Sequence, residues 1–158
     1  ISLSIMTKLD FIKQYLPLAQ KAAERFGMNP VIILAQSAIE TGWGKSALCR
    51  EHNNFFGITA YGRPNPFWEG DRTDLSANDG RPCLWFRSYL TPEASFLDFA
   101  RLIHTAYPVA ASLSAHPSAY AKEIAYSKYI SEVNGDNRAA YQRMLVSICR
   151  TIERYTVC

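Results

Sequence analysis

The sequence predicts a mainly α-helical fold that is interrupted once by a small β lobe. In several long segments the apolar residues recur at three- and four-residue steps, which is the period of an amphipathic helix. Between residues 53 and 89 this period gives way to aromatic residues, Gly, Pro, Asn and Asp. We therefore expect helices to form the frame, and the β lobe, at about residues 55–89, to form one wall of a cleft.

The first predicted helix runs from Lys8 to Phe26 and ends at Gly27. The apolar residues that share one of its faces are Leu9, Ile12, Leu16, Ala19, Ala23 and Phe26. Because this apolar stripe covers only one side, we expect the helix to pack on the surface of the core.

The second predicted helix spans Val31 to Thr41 and is almost entirely apolar, which indicates burial. Asn29 and Pro30 supply a cap and a first-turn proline, and Gly42 stops the helix. An acidic residue, Glu40, therefore lies in the last turn of a buried helix.

The β lobe contains two β-type runs, at about residues 72–77 and 83–89, joined by a predicted turn at Asn78-Asp79-Gly80. Helical patterns resume after it. They are a helix that begins at Pro92, a shorter one from Pro117 to Ile124 and a last one from Asn137 to Tyr155.

Composition favours one domain over residues 1–158, since 48% of the 158 residues are hydrophobic and no linker divides the chain. Residues 1–6 fall outside the pattern and are interpreted as a cloning or leader remnant, because they lack the features of a secretory signal. The net charge of +3 is too small for a nucleic-acid-binding protein. No apolar run approaches the roughly 18 residues of a membrane span.

The four cysteines, Cys49, Cys83, Cys149 and Cys158, show no paired spacing, so neither a zinc site nor a disulfide framework is indicated. Cys49 and His52 come closest to a ligand cluster, but a structural zinc site takes about four ligands. We expect buried free thiols, no metal and no cofactor.

Glu40 is the foremost candidate for chemistry. Apolar surroundings disfavour its charged form, and the negative end of the helix dipole does the same. Both raise the pKa of the carboxyl group, as a general acid that works near neutral pH requires. The following turn, Thr41-Gly42-Trp43-Gly44, offers a flat aromatic face suited to a sugar ring. The residues alone equally allow an ordinary exposed glutamate at a helix end.

Two motifs stand close together, QSAIETGWGKS at residues 36–46 and NNFFGI at residues 53–58. Together they resemble family 73 of the glycoside hydrolases, and weaker similarity continues through Trp68 and Tyr89 to the last helix. The resemblance implies a lysozyme-like fold and a single catalytic domain. It also implies an endo-β-N-acetylglucosaminidase that cleaves peptidoglycan between N-acetylglucosamine and N-acetylmuramic acid.

By this resemblance Glu40 takes the place of the catalytic acid. The family's second carboxylate lies on the β lobe, where Asp74 fits best and Asp79 and Glu69 are alternatives. The second carboxylate would either activate a water or stabilise the transition state while the acetamido group of the substrate attacks. The sequence does not choose between these routes.

The resemblance also places a catalytic tyrosine in the cleft, at Tyr129 or, as the alternative, Tyr126. A phenol there would bond the acetamido group or the attacking water. The residues expected to bind the glycan strand are Trp43, Asn54, Phe56, Tyr61 and Trp68. Of the neighbouring pair Phe55 and Phe56, we expect one ring to point inward and one toward the substrate.

Other functions remain open at this stage. A lytic transglycosylase or a muramidase would act on the same polymer, and an inactive wall-binding module would keep the fold without the chemistry. The substrate places the action in the periplasm or cell wall. Because no signal peptide is visible, we hypothesise delivery by a phage or a specialised secretion system. An immunity or inhibitor protein would be a partner if the chain is an effector.

Overall fold

The computed structural model describes residues 5–74, 84–131 and 137–156. Within these ranges it confirms a mainly helical fold with one small antiparallel sheet. In chain order the elements are α1 (Lys8–Phe26), α2 (Pro30–Thr41), α3 (Ala47–His52), β1 (Arg72–Asp74), β2 (Trp85–Arg87), α4 (Pro92–Ala106), α5 (Pro108–Ser112), α6 (Pro117–Ala125) and α7 (Asn137–Thr156).

The predicted boundaries of the first two helices are confirmed, and their caps explain them. The side chain of Asn29 accepts a hydrogen bond from the backbone N–H of Val31 at the start of α2. Gly27 and Gly42 end α1 and α2 in the left-handed conformation, with φ of 66° and 58°. The short helices α3 and α5 were not predicted, because five or six residues are too few to show a helical period.

The buried face of α1 is rotated from the predicted one. Leu9 is 37% exposed, whereas Phe11, which lay outside the predicted stripe, is fully buried. The reason is that α1 packs against both α2 and α4, so the buried stripe faces the groove between these two helices.

The core is centred on α2, which packs between α1 and α7. Its burial was predicted and is confirmed. The residues of α2 that are buried are Ile32, Ile33, Leu34, Ala35, Gln36, Ser37, Ala38 and Thr41. Glu40, in the last turn, is the one residue of α2 that is exposed.

The β lobe is a two-stranded antiparallel sheet in which Arg72 lies opposite Arg87 and Asp74 lies opposite Trp85. Both strands fall inside the two predicted runs. The predicted turn at residues 78–80 lies outside the described residues. Asn54 fastens the lobe to the segment after α3, since its amide donates to the backbone oxygens of Ile58 and Arg87.

A buried carboxylate on α4 also holds the lobe. Asp98 is fully buried and pairs with Arg87 of β2 at 2.7 Å. It also accepts hydrogen bonds from Tyr89, Asn65 and Arg101. The guanidinium of Arg87 in turn bonds two backbone oxygens of the lobe and lies over the ring of Trp68. Every polar atom of this network is satisfied, as a buried ion pair requires.

Two of the expected buried thiols are confirmed, since Cys49 and Cys149 are both buried and free. Cys83 and Cys158 lie outside the described residues. No helix in the described ranges is long and apolar enough to cross a membrane.

Candidate active site

The carboxyl group of Glu40 opens into a cavity of about 320 Å³. The cavity lies where the end of α2, the segment after α3 and the segment between α6 and α7 meet. The residues that line it are Glu40, Phe56, Gly57, Ile58, Thr59, Leu102, Tyr107, Lys128, Tyr129, Ile130, Ser131 and Tyr141. Helices thus supply one side of the cleft and the base of the β lobe supplies another.

Glu40 is exposed to solvent through this cavity, yet its pKa is raised above the ordinary value of 4.5. The cause is burial, because the surrounding protein atoms take the place of part of the water that would stabilise the charge. In the described part of the chain, no hydrogen bond or ion pair to the carboxylate offsets this effect. The raised pKa extends the pH range over which the carboxyl group is protonated, which is the property that a general acid requires.

Gly57 fixes the position of that carboxyl group from the side of the β lobe. Its backbone has φ of 64°, and a Cβ atom added there would lie 2.3 Å from Oε1 of Glu40. The carboxyl group therefore packs directly on the glycine backbone. Any larger residue would displace it.

Three tyrosines, Tyr107, Tyr129 and Tyr141, line the same cavity as Glu40. The ring of Tyr129 packs edge-on against Phe99 and Tyr107, with ring centroids 6.2 Å and 5.8 Å apart. Burial raises the pKa of Tyr129, and nearby Tyr141 and Glu40 raise it further. Tyr129 thus remains a neutral phenol beside the acid. Tyr126, the alternative, is 57% exposed and does not line the cavity.

The structure describes two of the three candidate second carboxylates, and they lie in different places. Asp74 is half-buried at the end of β1, opposite Trp85. Glu69 lines a separate cavity of about 250 Å³ that shares no residue with the cavity at Glu40. Asp79 lies outside the described residues. The identity of the second carboxylate therefore stays a prediction.

Two residues expected to bind sugar are engaged inside the protein instead. Asn54 is 1% exposed and uses both ends of its amide to fold the segment from Asn54 to Ile58. Trp68 is 3% exposed, and its indole N–H donates to the backbone oxygen of Asp71. Both residues were predicted from residue type and motif. Neither signal shows that their polar side-chain groups form hydrogen bonds with the backbone.

The aromatic residues that were expected to line the cleft occupy different places in the structure. Phe56 lines the cavity but is buried and stacks on Phe99, with ring centroids 4.0 Å apart. Phe55 is buried as well and does not line this cavity, and which ring of the pair meets the substrate stays a prediction. Trp43 packs against Phe11 and does not line the cavity at Glu40. Tyr61 is 72% exposed on the lobe.

Sequence reasoning missed several residues of the cavity, above all Gly57 and Tyr141. Gly57 lies inside the NNFFGI motif, and a glycine within an apolar motif is itself a signal of close backbone approach. Tyr141 lies inside the predicted last helix, where the local pattern does not show which buried residues reach a cavity. No group of three or more potential metal ligands occurs among the residues that the structure describes.

Comparisons with known proteins agree with this arrangement. A family model described as "Glucosaminidase: Mannosyl-glycoprotein endo-beta-N-acetylglucosaminidase" matches residues 16–154. The peptidoglycan hydrolase FlgJ of Pseudomonas aeruginosa is 32% identical over 158 residues, which cover 92% of this chain and 37% of that protein. The chain thus spans little more than a third of the length of this curated relative.

Solved structures show the same fold. The glycoside hydrolase domain of FlgJ from Salmonella typhimurium is 25% identical, with a TM-score of 0.72 over 94% of this chain and 90% of that one. A chain of a type VI secretion system effector–immunity complex from Pseudomonas protegens is 20% identical, with a TM-score of 0.71 over 96% of this chain and 94% of that one. Since the family model covers most of the chain, the protein belongs to the glucosaminidase family, family 73 of the glycoside hydrolases.

Proposed function

We propose that this chain is an endo-β-N-acetylglucosaminidase that hydrolyses peptidoglycan between N-acetylglucosamine and N-acetylmuramic acid. The observation that carries the proposal is the environment of Glu40, whose carboxyl group faces the cavity with a raised pKa and no cationic partner among the described residues. The name of the Pseudomonas aeruginosa relative, a peptidoglycan hydrolase, supports the choice of polymer.

In the proposed reaction Glu40 donates its proton to the glycosidic oxygen as the bond from C1 to that oxygen breaks. The leaving sugar departs with a free hydroxyl group, and C1 acquires oxocarbenium character. Asp74 is the proposed second carboxylate, with Asp79 and Glu69 as alternatives. It either deprotonates the attacking water or stabilises the positive charge while the acetamido oxygen attacks C1.

Tyr129 is the proposed phenol beside the reacting sugar, with Tyr126 as the alternative. Its position in the cavity and its raised pKa support a neutral hydroxyl group that bonds the acetamido group or the water. Tyr61 is the proposed stacking surface for a more distant sugar, because its ring is exposed on the lobe.

The proposed substrate sets the site of action, which is the periplasm or the cell wall. Delivery by a phage or a specialised secretion system, and an immunity partner in the latter case, are part of the same hypothesis. Co-expression of a neighbouring gene product that blocks wall digestion by the purified chain would support the effector role. Digestion unaffected by every neighbouring gene product would count against it.

The decisive experiment compares the wild-type chain, Glu40→Gln and the control Glu24→Gln on purified peptidoglycan. Glu24 is an exposed glutamate of α1 that does not line the cavity at Glu40, so its substitution should leave digestion unchanged. The products are reduced with borohydride and their sugar ends are identified by mass spectrometry. Reduced N-acetylglucosamine ends that disappear only in Glu40→Gln are the expected result.

Other products would replace the proposal with a specific alternative. Reduced muramic acid ends would indicate a muramidase, and anhydromuramic acid ends a lytic transglycosylase. No product from the wild-type chain would indicate an inactive wall-binding module. The second carboxylate is tested by Asp74→Asn, Asp79→Asn and Glu69→Gln, of which we expect the first to reduce turnover most.

A further inference from the structure

A buried amide connects the core of the protein to the catalytic cavity. Gln36 lies one turn before Glu40 on α2, is 2% exposed and sits between Tyr120 of α6 and Tyr141 of α7. Its side chain bonds both phenols, at 2.5 Å and 3.1 Å. These three residues, the Gln36 triad, are the only buried side-chain hydrogen-bonded link from α2 to α6 and α7 within the described ranges.

The direction of the hydrogen bonds in the triad decides whether the hydroxyl group of Tyr141 accepts or donates a hydrogen bond within it. Tyr120 is fully buried and donates its hydroxyl proton to Oε1 of Gln36. The NH₂ group of the amide therefore faces Tyr141 and donates to the phenol oxygen, because an amide nitrogen cannot accept. The hydroxyl proton of Tyr141 is left over, and no acceptor for it lies within hydrogen-bond distance among the described residues.

Tyr141 connects the triad to the wall of the cavity. It lines the same cavity as Glu40, and its hydroxyl group is the one that the triad holds in place. Burial raises the pKa of Tyr141 by more than the hydrogen bond from Gln36 lowers it, and the charge of Glu40 raises it further, so the phenol stays protonated near neutral pH. A fixed neutral donor beside a general acid is suited to an oxygen atom of a bound sugar.

We propose that Tyr141 is a further catalytic residue that donates its hydroxyl proton to an oxygen of the glycan bound beside Glu40, and that Gln36 and Tyr120 are positioning residues that hold it as a donor. This inference rests on the proposed function, since it needs a glycan strand in the cavity. It differs from the role given to Tyr129, whose ring packs against two aromatic neighbours and whose hydroxyl group has no hydrogen-bonded support of this kind from the described residues.

The first test measures kcat and KM of Tyr141→Phe on soluble glycan fragments of peptidoglycan. Tyr155→Phe is the matched control, because Tyr155 lies on the same helix and is 47% exposed. A preorganised donor at an oxyanion hole contributes about 100-fold to 1,000-fold to kcat. For a neutral phenol we expect a fall in kcat of roughly 10-fold to 100-fold, with KM changed by less than about threefold.

The second test asks whether Gln36 acts through Tyr141. Gln36→Met keeps the size of the side chain and removes both hydrogen bonds, so kcat should fall by a similar factor. Adding Tyr141→Phe to Gln36→Met should then reduce kcat little further, because the two residues act as one unit. If Gln36→Met does not fold, as judged by circular dichroism, Tyr120→Phe replaces it both as the single variant and in the double variant with Tyr141→Phe.

The outcomes separate this inference from the proposed function. If the wild-type chain cleaves the glycan and Tyr141→Phe retains the kcat of Tyr155→Phe, the inference is overturned and the function stands. Additive losses in the double variant would overturn the positioning role of the triad. If the wild-type chain neither cleaves nor binds the fragments, both the proposed function and the inference fail.

Discussion

At the scale of single residues, the contact between Gly57 and Glu40 is the most sensitive feature of the site. We predict that Gly57→Ala lowers turnover of peptidoglycan at least 10-fold, because the new Cβ atom would lie 2.3 Å from Oε1 and must push the carboxyl group aside. The measurement is the rate of release of reducing ends. The added strain at positive φ costs only about 1–2 kcal/mol, so the variant should remain folded.

Gly27→Ala is the matched control for this prediction. Gly27 has φ of 66°, close to the 64° of Gly57, but nothing lies within 4 Å of an added Cβ atom there. The two variants therefore share the backbone strain and differ in the collision with Glu40. Equal activity of the two variants would show that Gly57 does not position the acid.

The raised pKa of Glu40 predicts how activity depends on pH. A general acid works in its protonated form, so turnover should fall as pH rises through the raised pKa. That limb of the profile should lie above pH 4.5, the ordinary value for a glutamate. The profile of kcat/KM on soluble glycan fragments measures it, and a limb at or below the ordinary value would contradict the assignment of Glu40 as the acid.

The same pKa predicts a change in stability. Because folding raises the pKa of Glu40, its contribution to the free energy of unfolding is fully present below pH 4.5 and is lost as pH rises through the raised value. Glu40→Gln removes this loss, so the variant should gain stability relative to the wild-type chain between about pH 4 and pH 7. Urea unfolding at both pH values tests this, and a difference independent of pH would contradict it.

At the scale of elements, the β lobe depends on the buried ion pair between Arg87 of β2 and Asp98 of α4. We predict that Asp98→Ala destabilises the protein by about 3–5 kcal/mol, because it leaves the guanidinium of Arg87 buried without its partner. Urea unfolding measures the loss. Activity should fall as well in this variant, since β2 supports the segment that carries Gly57.

Glu93→Gln is the control on the same helix. Glu93 pairs with Lys21 at 3.7 Å, and both side chains are about half exposed or more. Such surface pairs contribute roughly 0–1 kcal/mol. A loss of the same size in Glu93→Gln and Asp98→Ala would mean that burial does not distinguish the two carboxylates.

The elements also show which signals in the sequence were strong. The caps at Asn29 and Gly42 defined α2 correctly, because capping depends on residues adjacent in the chain. The buried face of α1 was misjudged at Leu9 and Phe11, because the position of the stripe depends on two partner helices that lie elsewhere in the sequence.

At the scale of the whole molecule, one core draws residues from α1 to α7. Cys149 of α7 lies in it, is 1% exposed, and has its pKa raised by burial to about 12. We predict that N-ethylmaleimide labels Cys149 only on global unfolding, with the same midpoint in urea as circular dichroism. Mass spectrometry of the Cys149 peptide gives the measurement. Labelling well below that midpoint would mean that α7 opens separately.

The sequence by itself determined the helical frame, the position of the β lobe and the candidate acid Glu40. These depend on local signals: helical periodicity, caps, and two motifs at short spacing. Only the tertiary structure showed that Gly57 touches the carboxyl group, that Tyr141 reaches the cavity and that Asn54 and Trp68 serve the lobe. The physical reason is that these roles depend on contacts between distant segments, and a residue's type does not tell which partner satisfies its polar groups.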